Sequence, residues 1–73
     1  RSRRLATSEE LEGMYRHMEE TLLRIGFLNR DNPKRMMAML RRIFSRARLN
    51  SREVKILRGI CRQARWYAGH KES

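Results

Sequence analysis

The sequence predicts an all-α fold, a small antiparallel three-helix bundle with helices over about residues 8–25, 33–48 and 51–68. Apolar residues recur at three- and four-residue spacing in three separate stretches. Each stretch begins with residues suited to cap a helix, and no stretch shows the alternation of a half-buried strand. Because the connections are short, neighbouring helices are expected to pack antiparallel.

The first helix begins at a capping box, in which Thr7 accepts from a backbone N–H and the Glu10 carboxylate reaches back to the cap. Gly26 follows at a position where a left-handed residue ends a helix, and Phe27 and Leu28 are expected to fold back on that end. The predicted apolar face consists of Leu11, Met14, Tyr15, Met18, Leu22 and Ile25.

The second and third helices each follow an asparagine cap. Asn32 precedes Pro33, which suits the first helical position, and Asn50 precedes Glu53 at capping-box spacing. Gly69 is predicted to end the third helix. The second apolar face is predicted to consist of Met36, Leu40, Ile43, Phe44 and Ala47, and the third of Val54, Leu57, Ile60, Cys61, Ala64 and Ala68.

The length allows one domain, because 73 residues leave no room for a second hydrophobic core. We expect residues 1–6 to be the end of a linker, residues 7–69 the helical domain and residues 70–73 a tail. The chain begins at Arg1 rather than Met, which suggests a piece of a longer protein. The longest apolar stretch is five residues, so no membrane span is expected, and the single cysteine fits a reducing compartment such as the cytoplasm.

The positive charge lies in the second half of the chain. Residues 1–31 contain six basic and six acidic residues, whereas residues 32–73 contain twelve basic and two acidic ones, which accounts for the whole net charge of +10. A field of one sign favours a polyanionic partner, and nucleic acid is the commonest one.

We predict that nucleic acid, either RNA or DNA, binds two helical surfaces. The second helix contributes cations without acidic partners in the same helix, and the third contributes a cationic stripe beside an indole. The predicted nucleic-acid-binding residues are Lys34, Arg35, Arg41, Arg42, Arg46, Arg48, Lys55, Arg58, Arg62, Arg65 and Trp66. Arginine predominates, and its planar fork suits phosphate. The other interpretation is a solvated surface offset by the glutamates of the first helix.

Trp66 has two interpretations. Its indole lies on the same side of the third helix as Arg62, where it would stack on an unpaired base. Alternatively it covers a neighbouring domain or a second copy of the chain.

The sequence offers little for catalysis. His17 and His70 fall on different elements and have no ligands at metal-binding spacing, and Cys61 lies on an apolar face as a buried thiol. We therefore expect no catalytic residue, no metal and no cofactor on this chain. Small all-helical chorismate mutases also use Arg and Lys, but here the first helix is too short and its polar face is acidic.

Several strings together resemble the C-terminal region of the bacterial TrmJ family. They are Ile25-Gly26-Phe27-Leu28, the run from Arg41 to Leu49 (Arg-Arg-Ile-Phe-Ser-Arg-Ala-Arg-Leu) and Leu57-Arg58-Gly59-Ile60. The likeness covers about residues 5–61. The ending, from Arg65 to His70, matches no pattern of the family.

The resemblance implies a parent enzyme that methylates the ribose 2′-hydroxyl of cytidine or uridine at tRNA nucleotide thirty-two. It implies a separate N-terminal SPOUT domain that binds S-adenosylmethionine and dimerises, and a tRNA-binding role for the helical domain. The matched residues for that role are Arg41, Arg42, Arg46, Arg48 and Arg58.

The alternative is a dimerisation or assembly module without direct RNA contact. Exposed apolar residues motivate it, namely Leu23, Ile56, Trp66 and Tyr67.

Overall fold

A computed structural model describes residues 4–71 of the chain. It contains three helices, α1 (Ser8–Arg24), α2 (Pro33–Ala47) and α3 (Ser51–Lys71), which confirms the all-α prediction. Residues 1–3 of the predicted linker and residues 72–73 of the predicted tail lie outside this part. Leu5 and Ala6, also predicted as linker, instead attach to the α2–α3 connection. Leu5 forms an isolated antiparallel bridge with Asn50, and the Ala6 N–H donates to the Leu49 carbonyl at 2.9 Å.

The starts of α1 and α3 have the capping boxes that the sequence predicts. The Glu10 N–H donates to Thr7 Oγ1 at 3.0 Å, and the Thr7 N–H donates to Glu10 Oε1 at 2.8 Å. The same reciprocal pair joins Asn50 and Glu53, at 2.8 and 2.9 Å. Asn32 is the N-cap residue of α2, but its side chain makes no capping hydrogen bond.

The end of α1 turns sharply at Gly26, whose φ of 88° lies in the left-handed region. The Gly26 N–H donates to the Leu23 carbonyl at 3.3 Å, and the Phe27 N–H donates to the Leu22 carbonyl at 2.9 Å. These two bonds form a Schellman motif and confirm the predicted stop. Leu28 folds back and is buried, whereas Phe27 stays exposed.

The end of α2 lies where the sequence predicts it, whereas the end of α3 does not. Helix α2 ends at Arg48, which takes a left-handed conformation (φ 52°) although it is not glycine. Helix α3 continues through Gly69 to Lys71, so the predicted stop at Gly69 is wrong. Instead of ending the helix, Gly69 leaves space for Arg24, because a Cβ atom at Gly69 would lie 3.3 Å from Nη2 of Arg24. The missing side chain lets this guanidinium approach the α3 backbone.

The hydrophobic core is small, and α1 contributes more of it than either of the other helices does. Its buried members are Met14, Tyr15, Met18, Leu28, Met37, Val54 and Cys61. Thr21 is also buried, and its hydroxyl donates to the His17 carbonyl at 2.9 Å. The predicted apolar face of α2 was partly wrong, because Met36 and Ile43 are exposed and Met37, which it left out, is buried.

Helix α1 lies between the other two helices and packs against both. Among the described residues, no Cα atom of α2 comes within 8 Å of one in α3. The bundle is therefore open along one side. A space of about 350 Å³ remains there, called the apolar groove below. Its walls include Met18 and Leu22 of α1, Leu40 and Phe44 of α2, and Leu57 and Ile60 of α3.

Candidate functional site

The cations of α2 are exposed to solvent. We call Lys34, Arg35, Arg41, Arg42, Arg46 and Arg48 the α2 basic face. Except for Arg41, none of them forms an ion pair with another described residue. Like charges at three- and four-residue spacing destabilise a helix by a few tenths of a kcal/mol per pair, so binding of an anion to them stabilises the helix.

Arg41 is the member of this face that has a protein partner. Its Nη1 and Nη2 donate to the two carboxylate oxygens of Glu12 at 2.7 and 2.9 Å, and its Cζ lies 4.5 Å from the centroid of the Tyr15 ring. The hydrogen bond from Arg41 lowers the pKa of Glu12. One of the six cations is thus offset by α1, as the solvated-surface interpretation expects, and the others are not.

The cations of α3 lie closer to α1. We call Lys55, Arg58, Arg62, Arg65 and Trp66 the α3 basic face; Lys55, Arg62 and Trp66 are exposed, and Arg58 and Arg65 are half-buried. Nη1 of Arg65 lies 3.4 Å from Oε1 of Glu20. Nη1 of Arg58 lies over Gly13, where a Cβ atom would come within 3.1 Å of it. Glu20 is thus a counter-charge to the basic half, as the sequence suggests.

A pocket of about 310 Å³ joins α1 to the α3 basic face, and we call it the arginine pocket. It is lined by His17, Arg24, Arg62, Arg65 and Trp66. Trp66 is 56% exposed, and its ring stacks on the His70 ring with centroids 3.9 Å apart. Sequence reasoning missed His17 and Arg24, since only the packing of α1 on α3 places them beside Trp66.

The arginine pocket has a positive local field. Burial lowers the pKa of His17, and the charges of Arg58 and Arg65 lower it further. Its Nδ1 atom is buried and has no hydrogen-bond partner among the described residues. Burial and the neighbouring guanidinium groups therefore both favour the neutral form of this imidazole.

The two basic faces are not one continuous surface. The helices that carry them have no Cα atoms within 8 Å of each other among the described residues, and α1, with its own acidic residues, contacts both. Arg41 and Arg65, one from each face, both pair with glutamates of α1. The structure thus places all eleven predicted residues on two flanks of α1.

The structure also gives the surroundings of the cysteine and of the possible metal ligands. Cys61 is a free, buried thiol, as predicted. Within residues 4–71, no three His, Cys, Asp or Glu side chains are grouped closely enough to surround a metal ion. None of the described helices has both the length and the apolar character that crossing a membrane requires.

The fold and its two cationic flanks define a small, basic, all-α domain. Residues 9–73 match the family model described as tRNA methyltransferase TrmJ, C-terminal domain. The match extends over most of the chain, so the chain belongs to this family.

Curated relatives agree with the family match. The chain is 46% identical over 56 residues to the tRNA (cytidine/uridine/adenosine-2′-O-)-methyltransferase TrmJ of Pseudomonas aeruginosa, an alignment that covers 77% of this chain and 22% of that protein. It is 50% identical over 52 residues to the tRNA (cytidine/uridine-2′-O-)-methyltransferases TrmJ of Salmonella typhimurium and Escherichia coli, covering 71% of this chain and 21% of each relative. The chain thus spans about a fifth of these relatives' length. No solved structure matches it.

Proposed function

We propose that this chain is the tRNA-binding accessory domain of a tRNA 2′-O-methyltransferase. In this proposal the basic faces bind the tRNA backbone, and a separate N-terminal SPOUT domain methylates the ribose of nucleotide thirty-two. S-adenosylmethionine binds that other domain, which also forms the homodimer of the parent. The chain itself contributes affinity and position, not chemistry.

The observation that carries the proposal is the outer edge of the α2 basic face. Arg35, Arg42 and Arg46 are exposed and have no carboxylate partner among the described residues. Lys34 and Arg48 add further positive charge on the same face, where Ala38 and Ser45 lie between these two residues and the row of Arg35, Arg42 and Arg46. This surface offers almost no group that reads base edges, so it suits recognition of phosphate and shape.

The test is tRNA affinity as a function of salt. Each cation that neutralises a phosphate contributes about one to the slope of log K against log salt. We expect the triple variant Arg35→Ala/Arg42→Ala/Arg46→Ala to lower that slope by about two to three. Fluorescence anisotropy of a labelled tRNA measures both quantities. Arg41 is left intact because it stabilises the contact between α1 and α2 through Glu12.

A matched control distinguishes the effect of these particular residues from the effect of lowering the total charge by three. The variant Arg4→Ala/Arg16→Ala/Arg30→Ala removes the same three charges from outside the two basic faces. We expect it to retain most of the affinity. Equal losses in the two variants, or a slope near zero for the unmodified chain, would contradict the proposal.

The second candidate is an assembly role, which the apolar groove favours. Its lining is almost wholly apolar, so a polyanion would leave it uncovered. A second copy would bring another charge of +10 against it. The occupant that fits is therefore an apolar surface of the parent's methyltransferase domain. Sedimentation of this chain over a range of concentrations tests self-pairing, and a monomer throughout counts against the dimerisation form of this role.

A further inference from the structure

The arginine pocket has the composition of a site for one nucleotide. Neither basic face alone contains all the residues of this site. Arg24 and His17 come from α1, and Arg62, Arg65 and Trp66 come from α3. At about 310 Å³ it lies near the lower end of the range for small-ligand pockets, about 300–1,000 Å³. This volume suits one small group.

The charge in this pocket favours an anion. Arg65 shares its charge with Glu20 at 3.4 Å, whereas Arg24 and Arg62 have no ion pair among the described residues. Arg24 reaches the pocket because Gly69 leaves space beside α3, although glycine within a helix costs about 1 kcal/mol relative to alanine. Two guanidinium groups without carboxylate partners suit one phosphate, which each can bind through parallel N–H donors.

The indole supplies a second, uncharged contact. Trp66 stacks on His70 with 29° between the ring planes, which limits the rotation of the indole, and more than half of Trp66 stays accessible. An aromatic ring held beside cations is the usual platform for an unpaired base, because every base has a π face. A free phosphate ion would use the arginines and leave the indole unused.

We propose that the arginine pocket binds a single unpaired nucleotide of the RNA, with its phosphate on Arg24 and Arg62 and its base on Trp66. This inference rests on the proposed tRNA-binding function and adds one defined position to it. The two flanks of α1 then have different tasks. The α2 basic face contacts backbone phosphates, and the arginine pocket detects a single-stranded position.

The single tryptophan of the chain makes the pocket directly observable. We expect hexaadenylate RNA and whole tRNA to quench the emission of Trp66 as a base stacks on it. An abasic ribose-phosphate hexamer and inorganic phosphate carry the anion without the base, so they should leave the emission unquenched. Quenching by the abasic hexamer equal to that by hexaadenylate would reduce the pocket to an anion site and overturn the base contact.

Variants give an independent measurement. Removing an aromatic ring that stacks on a base lowers affinity by about 5- to 150-fold, so Trp66→Ala should weaken the binding of labelled tRNA by that factor. Tyr67→Ala, the neighbouring exposed aromatic on another side of α3, should change it less than about twofold. Arg24→Gln should weaken binding more than Arg52→Gln, which removes the same charge outside the pocket. Circular dichroism verifies that each variant stays helical.

The outcomes separate this inference from the proposed function. Binding of tRNA with unchanged Trp66 emission, and equal effects of Trp66→Ala and Tyr67→Ala, would overturn the pocket and leave the basic faces as the RNA surface. No salt-dependent binding of tRNA would overturn both.

Discussion

Two adjacent methionines on α2 show that the position of a residue on the helix determines how much it contributes to the stability of the fold. Met37 is 4% exposed and belongs to the core, whereas Met36 is 38% exposed and lines the surface near Phe27. The two side chains are chemically identical and one residue apart, so about 100° of helical rotation separates them. Any difference in their effects therefore reports packing and not chemistry.

We expect Met37→Ala to lower the free energy of unfolding by about 2–5 kcal/mol, because truncation removes buried contacts and leaves a cavity. Met36→Ala should cost less than about 1 kcal/mol. Urea unfolding followed by circular dichroism measures both. For a domain of this size each kcal/mol shifts the melting temperature by about 4–8 °C, so thermal unfolding gives a second check. Similar losses in both variants would mean that α2 is rotated relative to this structure.

His17 links the stability of the fold to pH near neutrality. Burial lowers its pKa, the charges of Arg58, Arg65 and Arg62 lower it further, and Glu20 opposes them. The folded chain therefore favours the neutral imidazole, and the unfolded chain takes up a proton near its ordinary pKa of about 6.5. The stability that His17 contributes is present above that pH and is lost as the pH falls.

The matching experiment compares the chain with His17→Gln by urea unfolding between about pH 5 and pH 8. The unmodified chain should lose more stability toward the acid end than the variant, which has no imidazole to protonate. Carboxylates titrate in both proteins, so the difference between the two curves isolates His17. Parallel curves would show that this imidazole has the same pKa in the folded and unfolded chain.

At the scale of the helices, the end of α2 is the strained element. Arg48 has φ 52°, a region that costs non-glycine residues about 1–2 kcal/mol, and its N–H donates to the Ser45 carbonyl at 3.3 Å. Its charge also belongs to the proposed RNA surface. The same residue is thus unfavourable for the backbone and favourable for an anionic partner.

Substitution by glycine separates these two effects. Arg48→Gly should raise the free energy of unfolding by about 0.5–1 kcal/mol by relieving the left-handed backbone. Arg46→Gly, which removes the same charge from inside the helix, should lower it by about 1 kcal/mol. Both should weaken tRNA binding. Urea unfolding gives the first comparison and anisotropy the second, and a loss of stability in Arg48→Gly would mean that Arg48 makes contacts that outweigh its strain.

The helices also show which structural features the sequence could predict. The caps of α1 and α3 and the turn at Gly26 are local, and their hydrogen bonds span three to five residues, so the residue pattern was enough. Gly69 resembled a stop for the same local reasons, but its role depends on Arg24 in another helix. Met37 was missed because the buried side of α2 is turned relative to the predicted apolar face, so that Met37 is buried while Met36 and Ile43 are exposed.

In the candidate site too, the features of a single helix could be predicted from the sequence, and the contacts between helices could not. Strips of arginine on one helix follow from helical periodicity, so the membership of each basic face was accessible from the sequence. The partners of those arginines were not. Whether Arg41 pairs with Glu12 or Arg24 lies beside Trp66 depends on how α1 packs between α2 and α3, which residue spacing does not encode.

At the scale of the whole molecule, two opposed surface properties meet. The chain has a formal net charge of +10 spread over a body of 45 × 26 × 16 Å, and it also exposes the apolar groove. Charge repels a second copy over about 30 Å at 0.01 M salt but only about 3 Å at 1 M. Apolar association does not weaken with salt, and sulfate strengthens it.

Self-association should therefore depend on ionic strength in the opposite sense to RNA binding. We expect a monomer at low salt and association at high sulfate concentration, measured by sedimentation velocity. Ile60, 60% exposed and part of the groove wall, is the residue to change. Ile60→Lys should abolish association, whereas Gln63→Lys adds the same charge to an exposed position outside the groove and should not. Association at low salt, or equal effects of the two lysines, would show that copies meet through another surface.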